Sequence, residues 1–71
     1  MNLYFMRSNG ERKLLAKVKS EEEANIKIRE FLNEHNVNPY YFRTWVENGE
    51  KWIDFGSWSE FMILDMEDKN G

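Results

Sequence analysis

Two Asn-Gly dipeptides, Asn9-Gly10 and Asn48-Gly49, constrain this chain more than any other feature. Each lies between runs rich in apolar and aromatic residues. In that setting Asn-Gly is the strongest short-range signal of a β-hairpin, because a two-residue type I′ turn needs positive φ at both central residues. The loop length sets the strand register, and the register sets which side chains share a face. For the first hairpin, with strands over 2–7 and 12–19, a two-residue loop pairs Arg7 with Arg12, Phe5 with Leu14 and Leu3 with Ala16. One face then carries Leu3, Phe5, Leu14, Ala16 and Val18, and the other Tyr4, Met6, Lys13, Leu15, Lys17 and Lys19. For the second, with strands over 40–47 and 50–55, the pairs are Val46 with Lys51, Trp45 with Trp52, Thr44 with Ile53, Arg43 with Asp54 and Phe42 with Phe55. Here Phe42, Thr44, Val46, Ile53 and Phe55 form the apolar face. Tyr41, Arg43, Trp45, Trp52 and Asp54 form the other.

Between the hairpins, Ser20 followed by Glu23 reads as a capping box, and Glu21 to Glu23 complement the positive end of a helix dipole. The spacing predicts a helix over 21–35, with Ala24, Ile28, Phe31, Leu32 and His35 on one stripe. Asn36 can close it in the left-handed conformation, and Pro39 prevents continuation. After the second hairpin, Gly56-Ser57-Trp58-Ser59 turns the chain into a last strand over 60–66.

The order ββαβββ describes an α+β domain with one helix on one face of an antiparallel sheet. Strand orders 2-1-5-4-3 and 2-1-3-4-5 both accommodate a right-handed crossover through the helix. Phe61-Met62-Ile63-Leu64 lacks alternation and reads as a strand covered on both faces, hence central, which favours 2-1-5-4-3. A length of 71 residues gives a single domain over 1–66 and a flexible tail over 67–71.

One helix covers one face, so the other is left with Tyr4, Met6, Leu15, Tyr41, Trp45 and Trp52, plus one side of the last strand, whose facing is not assigned. Its four aromatic rings offer roughly 600 Å² or more, at about 150–250 Å² each. That is comparable with the largest apolar patch of an ordinary monomer, about 300–600 Å². With Arg43 and Asp54 among them, these residues are the candidate partner-binding set, for either a different protein or a second copy stacked sheet to sheet. Lys13, Lys17 and Lys19 beside these rings are the residues that would meet phosphates if single-stranded nucleic acid stacked there. A net charge of −3 opposes that reading.

No catalytic pattern accompanies this surface. His35 has no second histidine or cysteine for metal binding. Ser57 and Ser59 have no candidate base, and Asp65, Glu67 and Asp68 lack calcium-loop spacing. Arg43 and Asp54 read as a cross-strand ion pair before a ligand clamp, and Ile26 as a single apolar residue on the helix's polar side. The expectation is a non-enzymatic cytosolic protein with no cofactor, no metal and no membrane span. A small enzyme or ligand-sequestering protein, with its site at a subunit interface around Arg43, Trp45, Trp52 and Asp54, is the remaining alternative.

The run Tyr40-Tyr41-Phe42-Arg43-Thr44-Trp45, with Trp52-Ile53-Asp54-Phe55-Gly56-Ser57-Trp58-Ser59-Glu60-Phe61, resembles small uncharacterised proteins of phages, prophages and mobile elements of Gram-positive bacteria. The resemblance spans most of the chain as layout and is motif-like from Asp54 to Phe61. It implies a host-interaction role, binding and blocking a host or defence factor, and it transfers no catalytic residue.

Overall fold

A computed structural model describes residues 1–57 and 59–66; the tail expected over 67–71 and Trp58 lie outside the described residues. The elements are β1 (Asn2–Met6), β2 (Arg12–Lys17), α1 (Glu21–Glu34), β3 (Arg43–Glu47), β4 (Glu50–Asp54) and β5 (Phe61–Asp65). They form one five-stranded sheet in the order β2-β1-β5-β4-β3, every neighbouring pair antiparallel. The expected ββαβββ architecture and the 2-1-5-4-3 order are both present. Phe61 to Leu64 lie in the central strand.

Helix α1 begins where the cap requires. The Ser20 hydroxyl accepts the Glu23 N–H at 3.1 Å, and the Glu23 carboxylate accepts the Lys19 N–H at 3.4 Å. It ends in a left-handed turn with Asn36 at φ 55°, and the Val37 N–H returns to the Leu32 carbonyl at 2.8 Å. Ala24, Ile28 and Leu32 face Leu3, Val18, Ile53, Phe55, Met62 and Leu64 in the main core, and Phe5, Leu15, Ala16 and Phe31 pack at its margin. Each large apolar side chain buried there stabilises the fold by roughly 1.5–3 kcal/mol. A Lys51–Glu21 ion pair of 2.8 Å ties the helix start to β4.

The second hairpin follows its expected register from Arg43–Asp54 to Glu47–Glu50, with Asn48 at φ 52° and Gly49 at φ 76° as a type I′ turn demands. Phe42 and Phe55 lie beyond the ladder. The first hairpin departs from expectation. Arg7 pairs with Glu11 through an N–H to carbonyl bond of 2.8 Å, so the loop is Ser8-Asn9-Gly10, and only Gly10 has positive φ, at 87°. The extra loop residue slips the register, giving Met6–Arg12, Phe5–Lys13 and Tyr4–Leu14. A bulge at Leu15 then restores Leu3–Ala16. The pairs Arg7–Arg12 and Phe5–Leu14 do not form. In consequence Lys13 and Leu15 move to the helix side, and Arg12 and Leu14 move to the open side.

A second correction concerns β3. Phe42, Thr44 and Val46 were expected in the helix-covered core, but the core contains no residue of β3, and every β3 residue is exposed, Val46 to 64%. The helix lies over the middle of the sheet and stops short of this edge.

The turn assignment is testable through Gly10, where an added Cβ would meet nothing within 4 Å. Gly10→Ala is expected to cost about 1–2 kcal/mol from the left-handed backbone alone. A lowered urea midpoint at unchanged m-value would record it. A neutral result would remove the three-residue loop.

Candidate functional site

The face without a helix has its own small core. At its centre Ile63 on β5 has 0% exposure. Its cross-strand neighbours are Tyr4 on β1 and Trp52 on β4. The Trp45 and Trp52 rings, paired across the second hairpin, stack at 6.1 Å and 16°. Phe61 packs edge-on against both, at 6.0 and 5.8 Å. Edge-to-face and offset contacts of this kind each contribute about 0.5–1.5 kcal/mol beyond burial.

Arg12 crosses this cluster as a strap. Starting from β2, its guanidinium lies 5.8 Å from the Trp52 ring centroid and donates two hydrogen bonds to the Glu50 carboxylate on β4, at 2.6 and 3.2 Å. The hydrogen bond to Glu50 raises the Arg12 pKa above its ordinary value, against a lowering by partial burial. An arginine guanidinium is in any case charged at ordinary pH. Its stem and planar head cover apolar surface while the charge is satisfied at the far side. The Trp52 Nε1 proton is buried without an acceptor among the described residues, a cost the ring packing must offset.

Beyond the strap, toward β3, the surface opens. Trp45 is 39% exposed and Tyr41 49%. Arg43 lies over the Tyr41 ring at 5.5 Å and donates to Asp54 at 3.2 Å. Asp54 is itself buried, and its other oxygen accepts the Gly56 N–H at 2.9 Å. A carboxylate holding one backbone donor and one arginine is a positioning device. It fixes Arg43, and through Arg43 the Tyr41 ring, beside the stacked tryptophans.

The structure thus brings together Tyr41, Arg43, Trp45, Trp52 and Asp54 as expected, with Tyr4 and Met6 half-buried farther along the same face. Leu15 is not among them, since the bulge turns it to the core. The lysines do not form one stripe. Lys17 is on the open face opposite Asn2, Lys13 is on the helix side, and Lys19 stands beside the helix cap. Three contributors were missed, Phe61, Ile63 and Arg12. The first two had no assigned facing, and the register slip hid Arg12.

The helix side carries a concavity of about 330 Å³, with Phe5, Phe31 and Phe55 in its lining and the exposed Arg7, Lys13 and His35 at its rim. The His35 ring stacks on Phe31 at 4.2 Å, and its Nδ1 lies 2.9 Å from the Phe31 carbonyl, so an N–H donates there. This histidine is occupied in finishing the helix. No group of three or more metal-ligating side chains gathers among the described residues, and no helix among them is long and apolar enough to cross a membrane.

Comparisons with protein-family models, curated proteins and solved structures found no match to this chain. Geometry and chemistry therefore carry the functional argument.

Two substitutions separate the inner and outer parts of the aromatic face. Ile63→Ala is expected to cost about 2–5 kcal/mol, as for a fully enclosed core residue. Trp45→Ala, at the exposed margin, is expected to cost less than half as much in the same urea titration. Equal, small losses at both positions would mean that the open face has no core.

Proposed function

We propose that this is a non-enzymatic interaction protein whose aromatic sheet face, at the end formed by Tyr41, Arg43 and Trp45, binds a partner protein. One observation carries the reading: two large aromatic rings and an arginine are exposed together at the β3 edge, the arginine held by a buried carboxylate. Tryptophan, tyrosine and arginine are the side chains most often responsible for binding energy at protein interfaces. Pre-fixing them lowers the ordering cost of association. The inner part, strapped by Arg12, supplies rigidity more than contact area.

A host or defence factor of a Gram-positive cell, blocked by a phage-type protein, is the partner class that the sequence resemblance suggests. A second copy stacked face to face is the self-associating form of the same reading. The dispersal of Lys13, Lys17 and Lys19 weighs against a nucleic-acid platform, which needs cations gathered along one groove.

The test is cross-linked capture from Gram-positive cells with the tagged wild type, Trp45→Ala and Tyr41→Ala, each first shown to fold. Loss of a hot-spot ring of about 2 kcal/mol or more corresponds to more than tenfold weaker binding. The captured partner is therefore expected to fall by that factor in both variants. Undiminished capture by both would sink the aromatic-face reading, and a steeply salt-dependent affinity for oligonucleotide would replace it.

A further inference from the structure

The two edges of the sheet are built differently. Edge strands expose unpaired N–H and C=O groups, and proteins that stay monomeric blunt them with lysines, prolines or bulges. On β2 the blunting is complete: Arg12, Lys13 and Lys17 lie along it, and the bulge at Leu15 distorts its outer row. On β3, Arg-Thr-Trp-Val-Glu, the charges stand only at the two ends and are of opposite sign, there is no lysine, no proline and no bulge, and all five residues are exposed.

The hairpin geometry fixes which backbone groups of β3 are free. A two-residue loop makes Glu47–Glu50 the first hydrogen-bonded pair, so Glu47, Trp45 and Arg43 bond to β4. The N–H and C=O groups of Thr44 and Val46 then point outward. Two such strands placed antiparallel and centred on Trp45 match donor to acceptor at every outward group, because Thr44 of one copy meets Val46 of the other, twice. The same register sets Arg43 opposite Glu47, also twice. Arg43 uses one N–H group on Asp54 and has further donors to spare, and Glu47 has no charged partner among the described residues. Val46, 64% exposed, would gain a β-branched neighbour on each side of the pairing axis.

We propose that two copies of this chain associate through β3, antiparallel and centred on Trp45, to make one continuous ten-stranded sheet. The two-fold axis stands perpendicular to the sheet, so both aromatic faces lie on the same side and both helices on the other. This inference goes beyond the aromatic-face reading and does not depend on it, since edge pairing leaves the face open.

Sedimentation equilibrium combined with amide hydrogen exchange tests it. The wild type is expected to rise from 8.6 kDa to twice that mass with concentration. Protection of the Thr44 and Val46 amides should increase at least tenfold over the same range. Val46→Lys installs the missing edge lysine, and Glu47→Lys sets like charges opposite Arg43 at no cost to an intrachain pair; both are expected to stay monomeric. Leu14→Asn, on the aromatic face far from β3, is expected to dimerise as the wild type does. A wild type that remains monomeric at millimolar concentration with unprotected Thr44 and Val46 amides overturns the proposal. So does a dimer that survives both lysine variants, or one lost only in Leu14→Asn, which would mark face-to-face stacking. Partner capture through Trp45 and Tyr41 is read separately, so either reading can fail while the other stands.

Discussion

A single helix must serve a sheet of five strands, and the widths do not match. Strands about 4.8 Å apart make the sheet roughly 19 Å across between its outer strand axes, while a helix with its side chains is about 10–12 Å wide. The helix therefore covers the middle of the sheet, where Leu3, Ile53, Met62 and Leu64 meet Ala24, Ile28 and Leu32. One edge lies beyond its reach, as does the whole opposite face. The chain has no cysteine to compensate with a covalent staple. Its other features answer this shortage of cover. The open face is closed at its centre by packed rings and an arginine strap, one edge is blunted by charge and a bulge, and the other edge is left bare.

The burial of β5 on both faces follows from the same constraint. Met62 and Leu64 point to the helix and Ile63 points away from it, yet all three are almost completely enclosed. Ile63 reaches that state with no secondary-structure layer above it among the described residues. Tyr4 on β1 and Trp52 on β4 flank it across the strands, and Phe61 and the Arg12 guanidinium pack against Trp52. An aromatic ring brings more apolar area for less conformational entropy than a long aliphatic chain does. Phenylalanines and aliphatics can fill a core sealed by a helix. The uncovered face adds to Ile63 and Phe61 the rings of tryptophan and tyrosine, and those at its margin, Trp45 and Tyr41, are partly exposed.

In the second hairpin, one turn decided what was legible. Asn48-Gly49 takes the two-residue type I′ form, and from it the whole second register follows, including the stacked tryptophans and the Arg43–Asp54 pair. Asn9-Gly10 looks the same in one dimension but closes a three-residue loop, because glycine in the left-handed conformation also fits the end of a type I turn. That ambiguity of one residue exchanged the faces of Lys13 and Leu15 with those of Arg12 and Leu14, and the strap went unseen. The bulge at Leu15 cancels the slip before Leu3, which is why the inner end of the same hairpin was readable and its outer end was not. The exposure of Phe42 and Val46 had no local signal at all. Alternation reports which face a side chain points to, and only the width of the helix reports whether that face is covered.

The bare edge and the aromatic margin are neighbours, since Trp45 belongs to both. Its backbone is bonded inward to β4, and its ring lies on the open face beside Arg43. A strand added at β3 would extend the sheet in its own plane, whereas a protein bound by the rings would approach along the sheet normal. The two directions do not compete for the same atoms. Joining two copies at β3 would place two Trp45 rings together at the two-fold axis, flanked by two Arg43–Tyr41 pairs. A surface of moderate size on one chain would become a symmetric surface twice as large. For a domain whose core is limited by its length, lengthening the sheet enlarges the binding face with no added residue.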